Sequence, residues 1–337
     1  MTMFRTRTPS PVLAAALTAS IAVGTATAAL AAPQAASPAA PPATTTETAA
    51  TAPPVPLLWK VSDDDNSLYL LGSFHLLLPG DYPLSRDVDM AFADAEKLVF
   101  EMAPDELASP QLAIQMAQAA MRTDGSTLDQ QLGPELAAKL ASWGQANAAQ
   151  LAATGMTVEV LQRFEPWFVG MMVTITQMMD IGFDPALGLD AHMGGLAYQA
   201  QKPATGLETG AQQIAFLDGM EAGEQLQMLE QALDQAEAGA EQTLALHAAW
   251  RAGDVDAILA GTVAELRRDF PELYRAINVE RNDAWLPKLE ARLREDGDDD
   301  TLVVVGAMHL LGEDGVVEKL RAKGYAVERV CSACAAP

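Results

Sequence analysis

Positive charge is scarce in this chain: 21 Lys and Arg stand against 45 Asp and Glu, a net charge of −24 at neutral pH. So acidic a molecule repels phosphate backbones and anionic headgroups, which argues against nucleic acid and acidic membrane surfaces as partners. Cysteine is scarcer still, with only Cys331 and Cys334, in a Cys-Ser-Ala-Cys run near the end. A metal site would need two more ligands and a redox motif would want a helix, so the expectation is a small terminal disulfide formed in an oxidising compartment. Long apolar runs are lacking as well. Val12 to Val23 is broken by Thr18 and Ser20 and falls short of the roughly 20 residues that a spanning helix needs. With Arg5 and Arg7 before it and Ala29-Leu30-Ala31 after it, this stretch reads as a secretory signal peptide over residues 1–31, the alternative being an uncleaved anchor. Cleavage would take the net charge to −26 (−24 − 2). The expected product is exported, periplasmic or extracellular, with no stable membrane insertion.

Residues 32–56 are almost entirely Ala, Pro, Thr and Ser, a composition that buries no core and suits a disordered linker. About 280 residues follow, enough for one large α/β domain over 57–330, with 331–337 as a tail.

Histidine is also rare, and two of the four share one setting. Leu68-Tyr69-Leu70-Leu71-Gly72-Ser73-Phe74-His75-Leu76-Leu77 is echoed by Leu302-Val303-Val304-Val305-Gly306-Ala307-Met308-His309-Leu310-Leu311. Each is an apolar, buried-type strand running into Gly-x-x-His-Leu-Leu, where Gly lets the backbone bend. In open α/β sheets ligands bind beyond the carboxyl ends of the strands, so His75 and His309 are expected to meet although 234 positions (309 − 75) separate them. Lys97 to Glu101 is a third strand, and its acid occupies the same structural place.

The remaining text predicts a hairpin at Leu57 to Leu71, a helix over Leu84 to Ala95, and a mainly helical insertion over 109–260 interrupted by one strand near Pro203 to Leu207. Phe168, Met171, Met172, Ile175, Met178 and Met179 form a stripe that suits helix core better than an adaptable substrate groove. Asp190 is placed to cap a helix running to Gln201. Glu208 follows the short strand as a ligand or a cap. Gly223 to His247 reads as one amphipathic helix with a structural His247 at its end. Pro271 to Glu295 is a helix or helix pair carrying Arg281, Asn282 and Trp285, in which Arg281 suits a carboxylate or phosphate oxygen, the alternative being the commoner pairing of a helical arginine with a surface acid. A last strand, Ala326 to Val330, follows a helix capped by Gly324.

Gly72-Ser73-Phe74-His75, Glu101, Gly188-Leu189-Asp190, Gly206-Leu207-Glu208-Thr209, Arg281-Asn282 and Gly306-Ala307-Met308-His309 together resemble the TraB/PrgY/GumN family, which includes the Tiki metalloproteases of animals. The likeness runs from about Leu57 to Val330 and is nearest to bacterial GumN-like members with a signal peptide. It implies an α/β fold with a mainly parallel sheet flanked by helices and a large helical insertion between the two Gly-x-x-His motifs, related to the erythromycin-esterase and ChaN-like proteins. It also implies a divalent metal, manganese, cobalt or zinc, and a peptide or protein substrate. In one place the chain departs from the Tiki-like pattern of paired acids, since Glu101 is flanked by Phe100 and Met102.

Two imidazoles and a carboxylate make a suitable set for a divalent transition metal. The expected function is an exported metal-dependent hydrolase, a peptidase, with His75, Glu101, His309 and Asp190 as metal ligands. Glu208 or Asp190 would be general base or a further ligand, and Arg281 with Asn282 would steady substrate. The competing readings are a non-catalytic peptide-, metal- or haem-binding protein of the cell envelope, and a purely structural pair of strand-end histidines that binds no metal.

Overall fold

The computed structural model describes residues 52–334. The proposed signal peptide and most of the linker lie outside them. Residues 52–56, assigned above to the linker, instead lie along the domain: Val55 N–H donates to Arg251 O at 2.8 Å, and Pro54 and Pro56 are buried.

Six strands make one sheet: β1 (Leu58–Ser62), β2 (Ser67–Ser73), β3 (Lys97–Met102), β4 (Ala204–Glu208), β5 (Thr301–Gly306) and β6 (Ala326–Arg329). Their order is β4-β3-β5-β2-β1-β6. β2, β3, β4 and β5 are mutually parallel, while β1 runs antiparallel to both β2 and β6. β6 therefore points the same way as these four parallel strands, and only β1 is reversed. β2 and β5 are buried along their whole length, as expected of parallel strands covered on both faces. Leu70, Leu71, Leu98, Val303 and Val304 form the centre of one hydrophobic core, with Trp285, Leu289 and Leu320 from the flanking helices.

A second core belongs to the helical insertion, built on Trp167, Val169, Leu161, Met228 and Leu229. The methionine stripe serves as core on helix Pro166–Asp180: Met171 and Met178 are buried, and Met179 reaches the surface. One stretch is organised differently from expectation. The helix predicted from Gly223 to His247 is two, Ala222–Ala238 and Glu241–Ala252, broken at Gly239, whose φ of 91° is a conformation that side chains resist. The break shifts the helical phase, so Leu244 is exposed while His247 lies buried in mid-helix. The segment Pro271–Leu293 is helical but contains a π turn at Arg275–Val279, immediately before Arg281. Cys331 and Cys334 are disulfide-bonded, and the Ser332 amide and hydroxyl both donate to Asp87. Among the described residues no helix is long and apolar enough to cross a membrane.

Candidate functional site

Because β2, β3, β4 and β5 are neighbours running in one direction, whatever ends each of them arrives at the same edge of the sheet. Glu101 is the penultimate residue of β3 and Glu208 ends β4. His75 follows β2 by two residues, and His309 follows β5 within a four-residue helix, Ala307–Leu310. All four are buried. His75 Nε2 is 3.9 Å from Glu101 Oε1 and His309 Nε2 is 3.8 Å from the same oxygen. The three residues expected to converge do so.

Each imidazole is aimed by its other nitrogen. His75 Nδ1–H donates to Asp190 Oδ2 at 2.6 Å. Asp190 gets there because helix Leu189–Ala200 starts hard against the His75 loop: Leu189 N–H donates to Phe74 O, and a Cβ on Gly188 would stand 2.0 Å from His75 O. Asp190 is thus not the cap foreseen for it; Gly188 takes that position and the carboxylate turns to His75. His309 Nδ1–H donates to Asn282 Oδ1 at 2.8 Å, and the Asn282 amide group donates to Asp314 O at 2.8 Å, which settles which way Asn282 faces. Both Nε2 atoms consequently present lone pairs inward. This pattern, a ring nitrogen held by an oxygen so that the other can bind, is the usual support for metal-ligating histidine.

Arg281 lies among these groups, sealed from solvent. Its Nη2 donates to Glu101 Oε2 at 2.6 Å and to Glu208 Oε1, and its Nε lies 3.3 Å from Glu208 Oε2. Glu208 also accepts from Gln213 Nε2 at 2.9 Å and Trp285 Nε1 at 3.1 Å. It is neither cap nor free base but the anchor of Arg281; the cap of the following helix is Thr209. Glu101 Oε1 accepts from Gly306 N–H at 2.7 Å, which fixes it between the diverging ends of β3 and β5. Arg281 and Asn282, expected to meet substrate, bond to the protein itself and position Glu101, Glu208 and His309.

Electrostatics follow from burial and these pairings. Burial raises Glu101 above the ordinary carboxylate range, although Arg281 opposes it. Burial, then Arg281, pushes His309 well below the usual imidazole value and keeps it neutral. For His75 burial pulls the same way, but the Asp190 and Glu101 carboxylates outweigh it and raise the pKa. The cluster sets three carboxyl groups, Glu101, Glu208 and Asp190, against one guanidinium, that of Arg281.

That donor set suits a divalent cation. No three His, Cys, Asp or Glu side chains among the described residues are drawn in to ligating positions. Two ligands each about 2 Å from one ion are at most about 4 Å apart, so the 3.8 and 3.9 Å separations stand at that limit. Arg281 Nη1 donates to His309 Nε2 at 3.1 Å. His75 Nε2, by contrast, is buried without any partner. A buried lone pair left unmet costs about 1–3 kcal/mol, and a cation between His75, Glu101 and His309 would meet it.

Nothing in the sequence pointed to Gln213 as a partner of Glu208 or to Gly306 N–H as a holder of Glu101. Trp285 had a usable signal, standing one helical turn beyond Arg281, whose Cζ lies 4.9 Å from its ring. Gln213 had none.

The family model described as TraB/PrgY/gumN family matches residues 57–329. No curated protein and no solved structure matches the chain.

Proposed function

The chain belongs to the TraB/PrgY/gumN family, and on that premise we propose that it is an exported, divalent-metal-dependent hydrolase acting on peptides. The observation that carries the reading is the pair of Nε2 lone pairs, each held in place through its Nδ1 and each 3.8–3.9 Å from one oxygen of Glu101. His75, Glu101 and His309 would hold the cation, which at such a site polarises a carbonyl and lowers the pKa of water.

The chain's own residues prepare that chemistry. Asp190 keeps the His75 proton on Nδ1, and Asn282 keeps the His309 proton on its Nδ1. Arg281 sets one guanidinium against the carboxyl groups of both Glu101 and Glu208 in a space sealed from solvent. Asp190 is the base candidate with capacity to spare: only its Oδ2 is engaged, and its side chain is 12% exposed where that of His309 is 1%. Substrate therefore approaches from the His75–Asp190 side, and the Arg281–Asn282 side forms the wall. A peptide carbonyl suits this arrangement because the donors and the candidate base meet at one sheet edge. Export rests on the leader-like residues 1–31 and on the disulfide between Cys331 and Cys334.

The test is bound metal and peptide hydrolysis, measured together on wild type and His309→Ala after chelation and re-addition of divalent ions. Wild type should lose activity on chelation and regain it on re-addition, and His309→Ala should lose metal and activity together. Undiminished hydrolysis after exhaustive chelation would end the metallohydrolase reading. Metal binding without turnover would make the protein a sequestering one.

A further inference from the structure

Soon after His309 the chain makes a turn, Gly312 to Gly315, in which Asp314 is held through both its backbone and its side chain. Its carbonyl accepts from the Asn282 amide group at 2.8 Å, and Asn282 Oδ1 accepts from His309 Nδ1–H at 2.8 Å. Its carboxylate Oδ2 accepts from the Tyr274 hydroxyl at 3.1 Å and pairs with Arg267 Nη2, also at 3.1 Å. Arg267 lies over the Tyr274 ring, with its Cζ 5.6 Å from the centroid, and pairs with Glu313 as well. Tyr274 is buried. Burial, then the Asp314 carboxylate, pushes its phenol up to about 12, so it keeps the proton that it donates.

The two holds come from different parts of the molecule. Tyr274 and Leu266 pack in the second core, on helices Pro271–Tyr274 and Ala264–Asp269, the second of which also carries Arg267. Contacts therefore run from that core through Asp314 and Asn282 to His309. An asparagine amide has nearly the same shape when turned over, but it would then present N–H groups to His309 Nδ1–H, donor against donor. The Asp314 carbonyl excludes that orientation for as long as it stays in place. The turn is closed by Gly315 N–H on Gly312 O at 3.0 Å, a bond in which Asp314 takes no part.

We propose that Tyr274 and Arg267, acting through Asp314, are positioning residues that hold Asn282 in the one orientation in which His309 keeps its proton on Nδ1 and offers Nε2 to a cation. The effect on cation affinity rests on the metal-binding reading of His75, Glu101 and His309; the placing of the ring proton does not, so the two can fail separately. Arg281 Nη1, 3.1 Å from His309 Nε2, favours the same tautomer from the other side of the ring. A cation at Nε2 would replace that donor, which leaves Asn282 to aim the imidazole.

The experiment uses protein labelled with nitrogen-15 at histidine. Without metal, it records by NMR the solvent exchange of the His309 Nδ1 proton, assigned by its loss in His309→Ala. Zn(II) affinity by competition with a chromogenic chelator and the melting temperature complete the set. Asp314→Ala leaves the carbonyl in the chain but frees it, and should speed that exchange about tenfold, the scale of one hydrogen bond. It should weaken Zn(II) by about tenfold, as when a group behind a ligating histidine is lost. Tyr274→Phe should act in the same direction by about threefold and add nothing to Asp314→Ala in the double variant, because both work through one carboxylate. Asp314→Asn, which keeps an oxygen for the Tyr274 hydroxyl, should recover most of the loss. Glu313→Gln, in the same turn and on the same arginine, should match wild type. Unchanged exchange in Asp314→Ala and Tyr274→Phe overturns the proposal, and so does a lower melting temperature with exchange and affinity intact, which would make Asp314 a tether. A loss in Glu313→Gln as large as that in Asp314→Ala overturns it too. If Asp314→Ala does not fold, Tyr274→Phe and Asp314→Asn decide. Wild type that binds no Zn(II), with the ring proton freed in the variants, removes the metal reading and keeps the positioning; wild type that binds Zn(II), with both variants matching it, removes the positioning alone.

Discussion

His75 Nδ1 stands 2.6 Å from Asp190 Oδ2, a bond between residues 115 positions apart that decides which nitrogen of the ring faces Glu101. Without it the imidazole could present either nitrogen or turn away. Asp190→Asn keeps the shape and removes the charge, so it should weaken metal affinity and peptide hydrolysis by about 10- to 100-fold, the usual cost of losing a carboxylate behind a ligating histidine. Metal titration and steady-state kinetics on the folded variant check this, and wild-type values in both would remove Asp190 from the site.

Arg281 should be worth more to stability than to substrate binding. Glu101 and Glu208 are buried with it, so Arg281→Met leaves two carboxylates without their counter-charge and should cost about 3–5 kcal/mol. Adding Glu208→Gln to that variant should restore part of the loss, as one of the stranded charges is gone. Chemical denaturation of wild type, single and double variants gives the answer; a double variant no more stable than Arg281→Met would contradict it.

A second buried cluster, around Asp81, should contribute to stability in a pH-dependent way. Asp81 accepts from His247 Nε2 at 2.8 Å, from Leu78 N–H at 2.7 Å and from Arg251. Burial opposes ionisation of Asp81, but these donors outweigh it and hold the pKa below the ordinary value. A carboxyl depressed on folding contributes stability above its unfolded pKa of about 3.9 and loses it as pH falls through the folded value. Asp81→Asn should therefore cost about 1–3 kcal/mol at neutral pH, and the gap to wild type should narrow below about pH 4. Urea melts at both pH values test this, and a gap independent of pH would mean that the ionisation of Asp81 contributes nothing. His247→Ala should lower stability and leave bound metal unchanged, since Phe74, Phe183 and Asp81 surround its ring.

Gly188→Ala should damage the site more than the fold's remainder. Its Cβ would fall 2.0 Å from His75 O, a backbone atom that cannot swing aside. Either the His75 loop or the start of helix Leu189–Ala200 must move, and both carry site residues. The expected result is at least about tenfold lower metal affinity, the scale of losing a ligand's support, measured by the same titration. Gly195→Ala, in the same helix with open space around it, is the control and should match wild type.

The parts of this protein set by local sequence are those whose signal is local. The apolar runs at Leu68 to Leu71, Lys97 to Glu101 and Leu302 to Val305 marked the strands, and because parallel neighbours end on one side, they marked the edge where His75, Glu101 and His309 meet. The disulfide between Cys331 and Cys334 was readable from two lone cysteines in an expected oxidising compartment, with too few ligands near them for a metal. What each polar side chain does at that edge was a tertiary matter. Asp190 carried a plausible local role as a cap, and only the packing of its helix on the His75 loop turned it into an imidazole partner. Glu208 could be a ligand, a cap or a general base until Arg281 came to it from 73 positions away. The division of Gly223 to His247 at Gly239 was likewise hidden, since a glycine is tolerated inside a helical pattern and its positive φ leaves no mark in the sequence. Periodicity reports which face of an element is buried; which charges meet beyond the strand ends depends on how helices far apart in sequence dock, and no window of neighbouring residues contains that.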